Sequence, residues 1–344
     1  MSAPVPSSGG PRLRPPAPGS GRAVIPVLVL VPVLAACLLW AFAWPAARTA
    51  PRELPLGVVG PPAAVETVTG ALAGAGGDAF DPRVHPDRDA AAAAVTEREV
   101  SGAIVLGPDG PELLVASAGG PAVAHLLEEG VRASLGGADP DAAAALTVTD
   151  LVPGPAGDPR GAAFAAGLLP LTLTGVAAGA LVVLFGLRGP RGPIVLIGAC
   201  ALVGTVAALL LHTWLGVLEG GWWAAAASLA LLVLACAALP AGLGALLGPP
   251  GVGLGALTVV ALGNPFSGAA SSPDLLPAPM GDLGQALPPG AGASLLRSVA
   301  FFDGAGGTVP LLVLLGWAAA GLLLLGTVTR RRTAPADDPV PVSA

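Results

Sequence analysis

Long apolar runs alternate with one polar stretch along this chain. The runs cover residues 23–44, 162–187, 193–215, 222–247, 252–266 and 309–328. At about 1.5 Å per residue, a helix of about 20 apolar residues crosses the hydrocarbon core of a bilayer. The pattern therefore predicts a polytopic α-helical membrane protein with six transmembrane helices. The fifth run is short, at 15 residues.

The first apolar run allows two interpretations. Arg22 precedes it, and Ala41-Phe42-Ala43 resembles a signal peptide cleavage site. However, the run is longer than the usual signal core of about 7–15 apolar residues. We therefore expect residues 23–45 to form an uncleaved transmembrane helix. Residues 1–22, rich in Pro, Ser and Gly, are expected to form a disordered cytoplasmic tail, and residues 330–344 a second cytoplasmic tail.

Residues 46–160 have a different pattern, in which short strand-like runs alternate with helical ones. Strands are predicted at 56–59, 102–106, 113–117 and 146–152, and helices at 63–73, 87–98 and 121–135. The predicted element order is β-α-β-α-β-β-α-β, although no residues are assigned to the second strand. This order is enough for one small α/β domain between the first and second transmembrane helices. The remaining five helices would occupy residues 161–329, with a loop at 267–308.

Arginine and tryptophan positions predict the orientation of the six helices. Because cytoplasmic ends of membrane helices are enriched in Arg, the arginines that flank the runs mark the cytoplasmic side. Indole rings prefer the membrane interface and mark the other side. Both termini are then cytoplasmic, the α/β domain is extracytoplasmic, and the protein is multi-pass in the plasma membrane. The arginines are Arg12, Arg14, Arg22, Arg188, Arg191 and Arg330–Arg332, and the tryptophans are Trp40, Trp44, Trp214, Trp222 and Trp223.

Composition narrows the functions that the chain can have. Its mean hydropathy is +0.77 and 11% of its 344 residues are charged, against about 25% in soluble domains. All 16 basic residues are arginine, so a P-loop, a pyridoxal-phosphate Schiff base and an SxxK nucleophile are excluded. The chain has no basic patch interleaved with aromatic residues, which is the pattern that indicates nucleic-acid binding. Cys37, Cys200 and Cys236 all fall in apolar runs, where buried thiols are expected rather than disulfides.

The histidines and carboxylates give weak signals for chemistry. His125 is followed by Glu128 and Glu129, which could hold a metal, but a single group without further ligands favours a solvated helix face. His212 lies at a span end, where an interfacial role is expected; an intramembrane hydrolase that pairs it with Ser228 or Ser267 is the alternative. We predict no catalytic residue, no metal site and no cofactor, and thus no enzyme. His85 lies in a turn, and the pairs Asp87/Asp89 and Glu97/Glu99 are expected to be solvated.

Two further patterns concern packing. Glycine pairs spaced by four residues allow helices to approach closely, or arise by chance in a glycine-rich chain. Residues 264–304 are broken by proline, and a short helix is possible over 289–304. This helix would have one apolar face, which predicts a position at the outer membrane interface, either as a packed connector or as a lid. The apolar face consists of Leu295, Leu296, Val299 and Phe302, and Arg297 and Ser298 lie off it. The glycine pairs are Gly175/Gly179, Gly244/Gly248 and Gly251/Gly255.

The predicted order of elements is one anchor helix, an outer α/β domain and five further helices. This order resembles the permease subunit of ABC-2-type exporters and the related YhgE/Pip-like membrane proteins. The stretches that carry the resemblance are "LPLGVVGPP" (54–62), "DAAAAAVTEREVSGAIVL" (89–106), "PELLVASAGGPAVAHLLEEGVRA" (111–133) and "LPPGAGASLLRSVAFFDG" (287–304). The resemblance implies an exporter subunit that lies in membrane lipid and forms a homo- or heterodimer. A separate ABC ATPase would be its partner. The substrate and the residues that bind it are unknown.

The chain departs from these exporters at its cytoplasmic face. The Pro- and Gly-rich residues 1–20 do not form the amphipathic N-terminal helix of such permeases, and the loop between the second and third spans is only residues 188–192. An ATPase has little surface on which to dock. The alternative expectation is therefore a non-transporting YhgE/Pip-like protein whose outer domain binds an envelope or extracellular partner.

Overall fold

A computed structural model describes residues 24–76, 79–108, 110–138, 140–187 and 189–332. The chain divides into two compact units, residues 1–40 and 41–344. Helix α1 (Val24–Ala46) begins in the first unit and ends in the second. The tail predicted over residues 1–22 lies outside the described residues, as do residues 333–344 and Arg188.

Residues 54–150 contain a five-stranded sheet. The domain that contains it is called the outer domain, after the extracytoplasmic position that the sequence predicts for it. Its strands are β1 (Leu54–Val59), β2 (Phe80–Val84), β3 (Gly102–Gly107), β4 (Gly110–Val115) and β5 (Thr147–Asp150). The spatial order is β2-β1-β3-β4-β5, and only the β3–β4 pair is antiparallel. The predicted element order is confirmed. The strand that lacked residues is β2, a largely exposed edge strand whose sequence FDPRV carries no apolar alternation.

Helices cover both faces of this sheet. Helices α2 (Pro62–Gly76) and α4 (Pro121–Ala138) pack on one face, against Ile104 and Leu113. Helix α3 (Arg88–Thr96) packs on the other face, against Ala103 and Leu114. Neighbouring residues of a strand point to opposite faces, so each apolar strand supplies both cores. The short helix α5 (Pro140–Ala144) leads into β5.

Polar residues fix the position of α3 against the sheet. Asp87 caps the helix, since its carboxylate accepts a hydrogen bond of 2.8 Å from the Ala90 amide. Arg88 donates two hydrogen bonds of 2.8 Å to Glu112 of β4, and Thr149 of β5 donates a third to the same carboxylate at 2.7 Å. The hydrogen bond and charge of Arg88 lower the pKa of Glu112. Asp87 thus has a structural role, and α3 is tied to two strands.

Within the part of the chain that the structure describes, five helices are long and apolar enough to cross a membrane, by length and composition. They are Leu28–Ala46 within α1, α6 (Ala162–Leu184), Arg191–Trp214, α8 (Trp222–Leu247) and Thr308–Thr327 within α12 (Thr308–Arg332). The protein is therefore a mostly helical, membrane-embedded chain with a small sheet. The helix Arg191–Trp214 consists of α7 (Arg191–Ala208) and a π-helical end, Leu209–Trp214.

The predicted fifth span is the shortest of the apolar helices. It consists of α9 (Pro249–Leu257) and a π-helical continuation, Thr258–Gly263. Its 15 residues, Pro249–Gly263, extend about 22 Å, whereas the hydrocarbon core is about 30 Å thick. It packs back along α8 after a turn at Gly248, whose φ of 75° lies in the left-handed region that favours glycine.

Helix α8 is the centre of the bundle and packs against α6, α7, α9, α11 and α12. Glycines on its neighbours allow this. A Cβ added at Gly175 would lie 2.6 Å from the Val233 carbonyl oxygen, and one at Gly179 would clash with the Ala237 carbonyl. The packing expected for the glycine pairs is confirmed for Gly175/Gly179 and for Gly251/Gly255. In the third pair only Gly244 is in close contact, whereas Gly248 serves the turn.

Residues 264–307, here called the connector, lead from the π-helical Thr258–Gly263 to α12. They contain two helices, α10 (Met280–Gln285) and α11 (Pro288–Phe301). The short helix predicted over 289–304 is confirmed. Of the two alternatives for its role, its burial fits the packed connector, whereas its position relative to a membrane stays a prediction. Helix α11 is buried on all sides: Arg297 is 5% exposed and Ser298 is 0% exposed. Glycine and alanine let it fit between α8 and α12, with Gly292 against Leu232.

Candidate functional site

A buried polar cluster lies where the outer domain, the connector and the helix bundle meet. We call Arg98, Gln285, Ser294, Arg297 and Ser298 the junction cluster. Arg98 follows helix α3 of the outer domain, Gln285 ends α10, and the other three lie on α11. Ser294 and Ser298 are one helical turn apart on α11, so the same side of the helix presents both hydroxyls.

Arg297 binds the start of the connector through backbone carbonyls. Its guanidinium donates to the Ala269 oxygen at 2.7 Å and to the Gly268 oxygen at 3.4 Å. Its Cζ also lies 5.0 Å from the ring centroid of Phe164 in α6, a cation–π distance. One side chain thus joins α11, the residues after Asn264 and the start of α6.

Arg98 makes the matching link from the outer domain. Its φ of 64° is in the left-handed region, which turns the chain after α3 and directs the side chain towards α11. The guanidinium donates to the Ser298 hydroxyl and, at 3.3 Å, to the Ser294 carbonyl oxygen. Its Cζ lies 5.3 Å from the ring centroid of Phe302. The Ser294 hydroxyl in turn donates to Gln285 at 2.6 Å.

The two guanidinium groups carry positive charge that is buried at Arg297 and half-buried at Arg98. Among the described residues, neither has a carboxylate within ion-pair distance. Burial lowers the pKa of both, and the charge of Arg98 further lowers the pKa of Arg297, to about 10. Asp274 acts in the opposite direction on the pKa of Arg98. At neutral pH both side chains stay protonated, so they hold carbonyl groups in place and cannot act as general bases.

The connector is also anchored inside the outer domain. Leu275 is 0% exposed and belongs to the core formed by β1, β3, α2 and α4. Its carbonyl oxygen accepts hydrogen bonds from the Ala50 amide at 3.1 Å and from the Arg52 guanidinium at 2.9 Å. Leu275 and the junction cluster therefore fix the connector to the outer domain at two separate points.

Three cavities surround this junction. One of about 110 Å³ is lined by Arg98, Ser272 and Asp274, and one of about 90 Å³ by Asp158, Arg160 and Arg297. A third, of about 340 Å³, lies between the end of α1, the start of α6 and residues 264–271. The two smaller cavities adjoin the two arginines of the junction cluster, so this cluster is the strongest candidate site that the described residues form.

The structure places the predicted histidine and serine candidates apart from this junction. His125 forms an exposed pair with Glu129 at 3.3 Å, and no group of three metal ligands occurs among the described residues. His212 Nε2 lies 3.1 Å from the Gly220 carbonyl oxygen. Ser267 donates to the Asn264 carbonyl, and neither Ser267 nor Ser228 hydrogen bonds to His212 in the described chain. The serine–histidine alternative therefore lacks its geometry in this structure.

The remaining polar side chains with buried or specific contacts differ in how strongly the sequence indicates them. His85 follows β2, and its Nε2 is buried without a hydrogen-bond partner among the described atoms. Trp317, which lies in the middle of the last apolar run, donates to the Ala286 carbonyl of the connector at 2.8 Å. A polar tip inside an apolar run was the only signal for such a contact. Arg297 was visible as an arginine in an otherwise apolar helix, but its carbonyl partners were not.

The fold and the junction together define a class, a membrane-embedded helical bundle joined by a buried connector to a small α/β domain. Comparison of the sequence with models of known families, with curated proteins and with solved structures gives no match.

Proposed function

We propose that the chain is a permease-like subunit of an ABC-2-type exporter that works with a separate ATPase. It would act as a homo- or heterodimer in the plasma membrane. The observation that carries the proposal is the connector, which joins the outer domain through Arg98 and Leu275 and the bundle through α11. An exporter has to transmit a rearrangement of its helices to its outer surface, and a connector held at both ends provides that link.

The proposal includes six spans, with both termini cytoplasmic. Helix α8 is about 39 Å long, so Gly248 lies at the far side of the bundle from Trp222. Residues 249–263 return along α8, and the connector that follows contacts the outer domain. The chain therefore comes back to the side from which α8 starts. This path supports a short fifth span, completed by the buried connector.

Cysteine labelling tests this topology. In a chain whose native cysteines are replaced by alanine, we expect an impermeant maleimide to label Asp303→Cys in intact cells. Phe185→Cys, at the opposite end of α6, should react only after permeabilisation. Both residues are exposed, so the side of the membrane on which each lies determines the labelling. Labelling of both positions from the same side would contradict the six-span arrangement.

Co-purification tests the exporter proposal. We expect a P-loop ATPase to purify with the protein in mild detergent, and its hydrolysis rate to change when the two are combined in nanodiscs. Because Arg191 is exposed at the start of α7, on the proposed cytoplasmic side, Arg191→Glu should weaken this association. Arg160→Glu, an exposed arginine on the other side, is the matched control. An ATPase rate that is the same with and without the protein would rule the exporter out.

A second function is favoured by the small cytoplasmic surface. The chain turns between α6 and α7 within residues 185–190, and between α8 and α9 at Gly248 alone. These turns leave little surface on which an ATPase could dock. A small surface on this side is expected for a non-transporting protein that binds its partner through the outer domain. In the same purification, an envelope or extracellular protein bound in both arginine variants, without any ATPase, would favour this second function.

A further inference from the structure

A cavity of about 360 Å³ lies inside the outer domain, away from the junction cluster. It is bounded by α2, α4 and the α2/α4 face of β3. Its walls include three fully or nearly fully buried side chains, Leu72, Ile104 and Val131. Ala64 and Ala71 are half-buried and Thr67 is exposed, so the cavity opens to the outside along α2. Its volume lies in the range of about 300–1,000 Å³ that is typical of small-molecule pockets.

The residues of α2 account for the space. The helix faces the sheet with Val68 and Leu72, but the positions between and before them are Ala64, Thr67 and Ala71. These small side chains do not reach β3, so α2 stands away from it while still packing on α4 and β2. The gap leaves apolar side chains of α2, α4 and β3 facing an open space, an arrangement typical of a preformed ligand pocket.

The cavity lies on the α2/α4 face of the sheet, and one end of it reaches the side at which open α/β sheets bind ligands. From β1 the chain crosses through α2 to β2 on one side, and then through α3 to β3 on the other. The crossing direction changes between β1 and β3, and ligands bind at the carboxyl ends of strands at such a switch point. Ala64 in the first turn of α2 and Leu106 near the end of β3 both line the cavity.

The lining determines what kind of ligand fits. None of the described residues that line the cavity is charged or aromatic. Thr67 and Ser134 contribute the hydroxyl groups, and each already donates its proton to a carbonyl of its own helix at 2.8 Å. Their oxygens are left as acceptors only. Thr67 is exposed, which places one acceptor at the mouth. The walls thus suit an aliphatic chain, and the mouth suits a group that donates a hydrogen bond.

We propose that this cavity binds a single aliphatic chain with a hydrogen-bond-donating end, such as an alcohol. A cavity of about 150 Å³ lined by aliphatic side chains accepts benzene, so the present one accommodates about ten carbon atoms. The chain lies between α2 and β3, and its hydroxyl group donates to Thr67 at the mouth. This binding site is separate from the export function and does not depend on it.

A photoreactive ligand tests the site in the full chain. The probe is a ten-carbon alcohol that carries a diazirine, added to the protein in nanodiscs, with cross-links mapped by mass spectrometry. We expect labelling of α2 and β3 peptides in the wild-type chain. Ala71→Leu fills the cavity, so labelling there should fall at least about tenfold while the outer domain gains or keeps thermal stability. Ala73→Leu, on the exposed side of the same helix, is the matched control and should label like the wild type.

The nanodisc lipid absorbs part of the probe equally in all variants, so the comparison between Ala71→Leu and Ala73→Leu isolates the cavity. Equal labelling of α2 in these two variants would overturn the proposal, and so would labelling confined to the membrane helices. If Ala71→Leu fails to fold, Ala64→Val adds less volume at the same cavity and is expected to reduce labelling in the same direction.

Discussion

Replacing Arg297 by alanine is expected to release the start of the connector from α11. The substitution leaves the carbonyl oxygens of Gly268 and Ala269 without their buried donor and opens a space beside Phe164. We expect a loss of about 3 kcal/mol in the free energy of local opening, because unpaired buried polar groups and a cavity both contribute. Hydrogen exchange in nanodiscs, followed on peptides that contain residues 264–276, should then be about a hundredfold faster.

Two further variants separate the causes of that loss. Arg160→Ala removes an exposed arginine that lines the same 90 Å³ cavity, and should change exchange little. Arg297→Met keeps most of the side-chain volume but removes every donor, so exchange close to that of Arg297→Ala would assign the effect to hydrogen bonding. Wild-type exchange rates in Arg297→Ala would show that the carbonyl contacts do not hold the connector.

The second large effect is expected at Gly179 of α6. A Cβ at this position would clash with the Ala237 carbonyl of α8 and lie 3.0 Å from Pro240 Cγ. Gly179→Leu cannot relieve this contact by rotating a side chain, because backbone lies opposite. We therefore expect α6 and α8 to separate, with a loss of more than about 3 kcal/mol in the free energy of unfolding. Thermal unfolding in detergent, followed by size-exclusion chromatography, measures it.

Gly198→Leu is the matched control for this prediction. Gly198 lies on α7, another apolar helix, and a Cβ there meets no atom within 4 Å. The same side chain is added to a helix of similar composition, so hydrophobicity and helix propensity change equally. A Gly198 variant as unstable as the Gly179 variant would mean that close packing on α8 is not what the glycine serves.

These two predictions concern the two ends of one continuous set of contacts between the helix bundle and the outer domain. Gly179 sets the distance between α6 and the central helix α8, and Arg297 lies over Phe164 at the start of the same α6. From Arg297 the contacts pass through α11 to Ser298 and then to Arg98 of the outer domain. A shift of α6 against α8 therefore has a continuous set of contacts through which to reach the outer domain, as the exporter proposal requires.

Local pattern was sufficient for most elements of the outer domain. Short apolar runs predicted the strands around Ile104 and Leu113, and proline preceded the predicted helices that correspond to α2 and α3, because these signals act within a few residues. Strand β2 had no such signal. Its FDPRV sequence forms a strand because β1 supplies parallel hydrogen-bonding partners along its whole length, which is a tertiary contribution.

By itself, the sequence determined that the chain is a membrane-embedded helical protein with a small α/β domain, since apolar length and periodicity are local properties. Only the tertiary structure decided where the connector lies. Leu295, Leu296 and Val299 have the spacing of an interfacial helix, yet α11 is buried. Its own small residues, such as Gly292 against Leu232 of α8, let it pack closely against the bundle. Arg297 can be buried there since its partners are carbonyls 28 and 29 residues earlier in the chain, which no local pattern reveals.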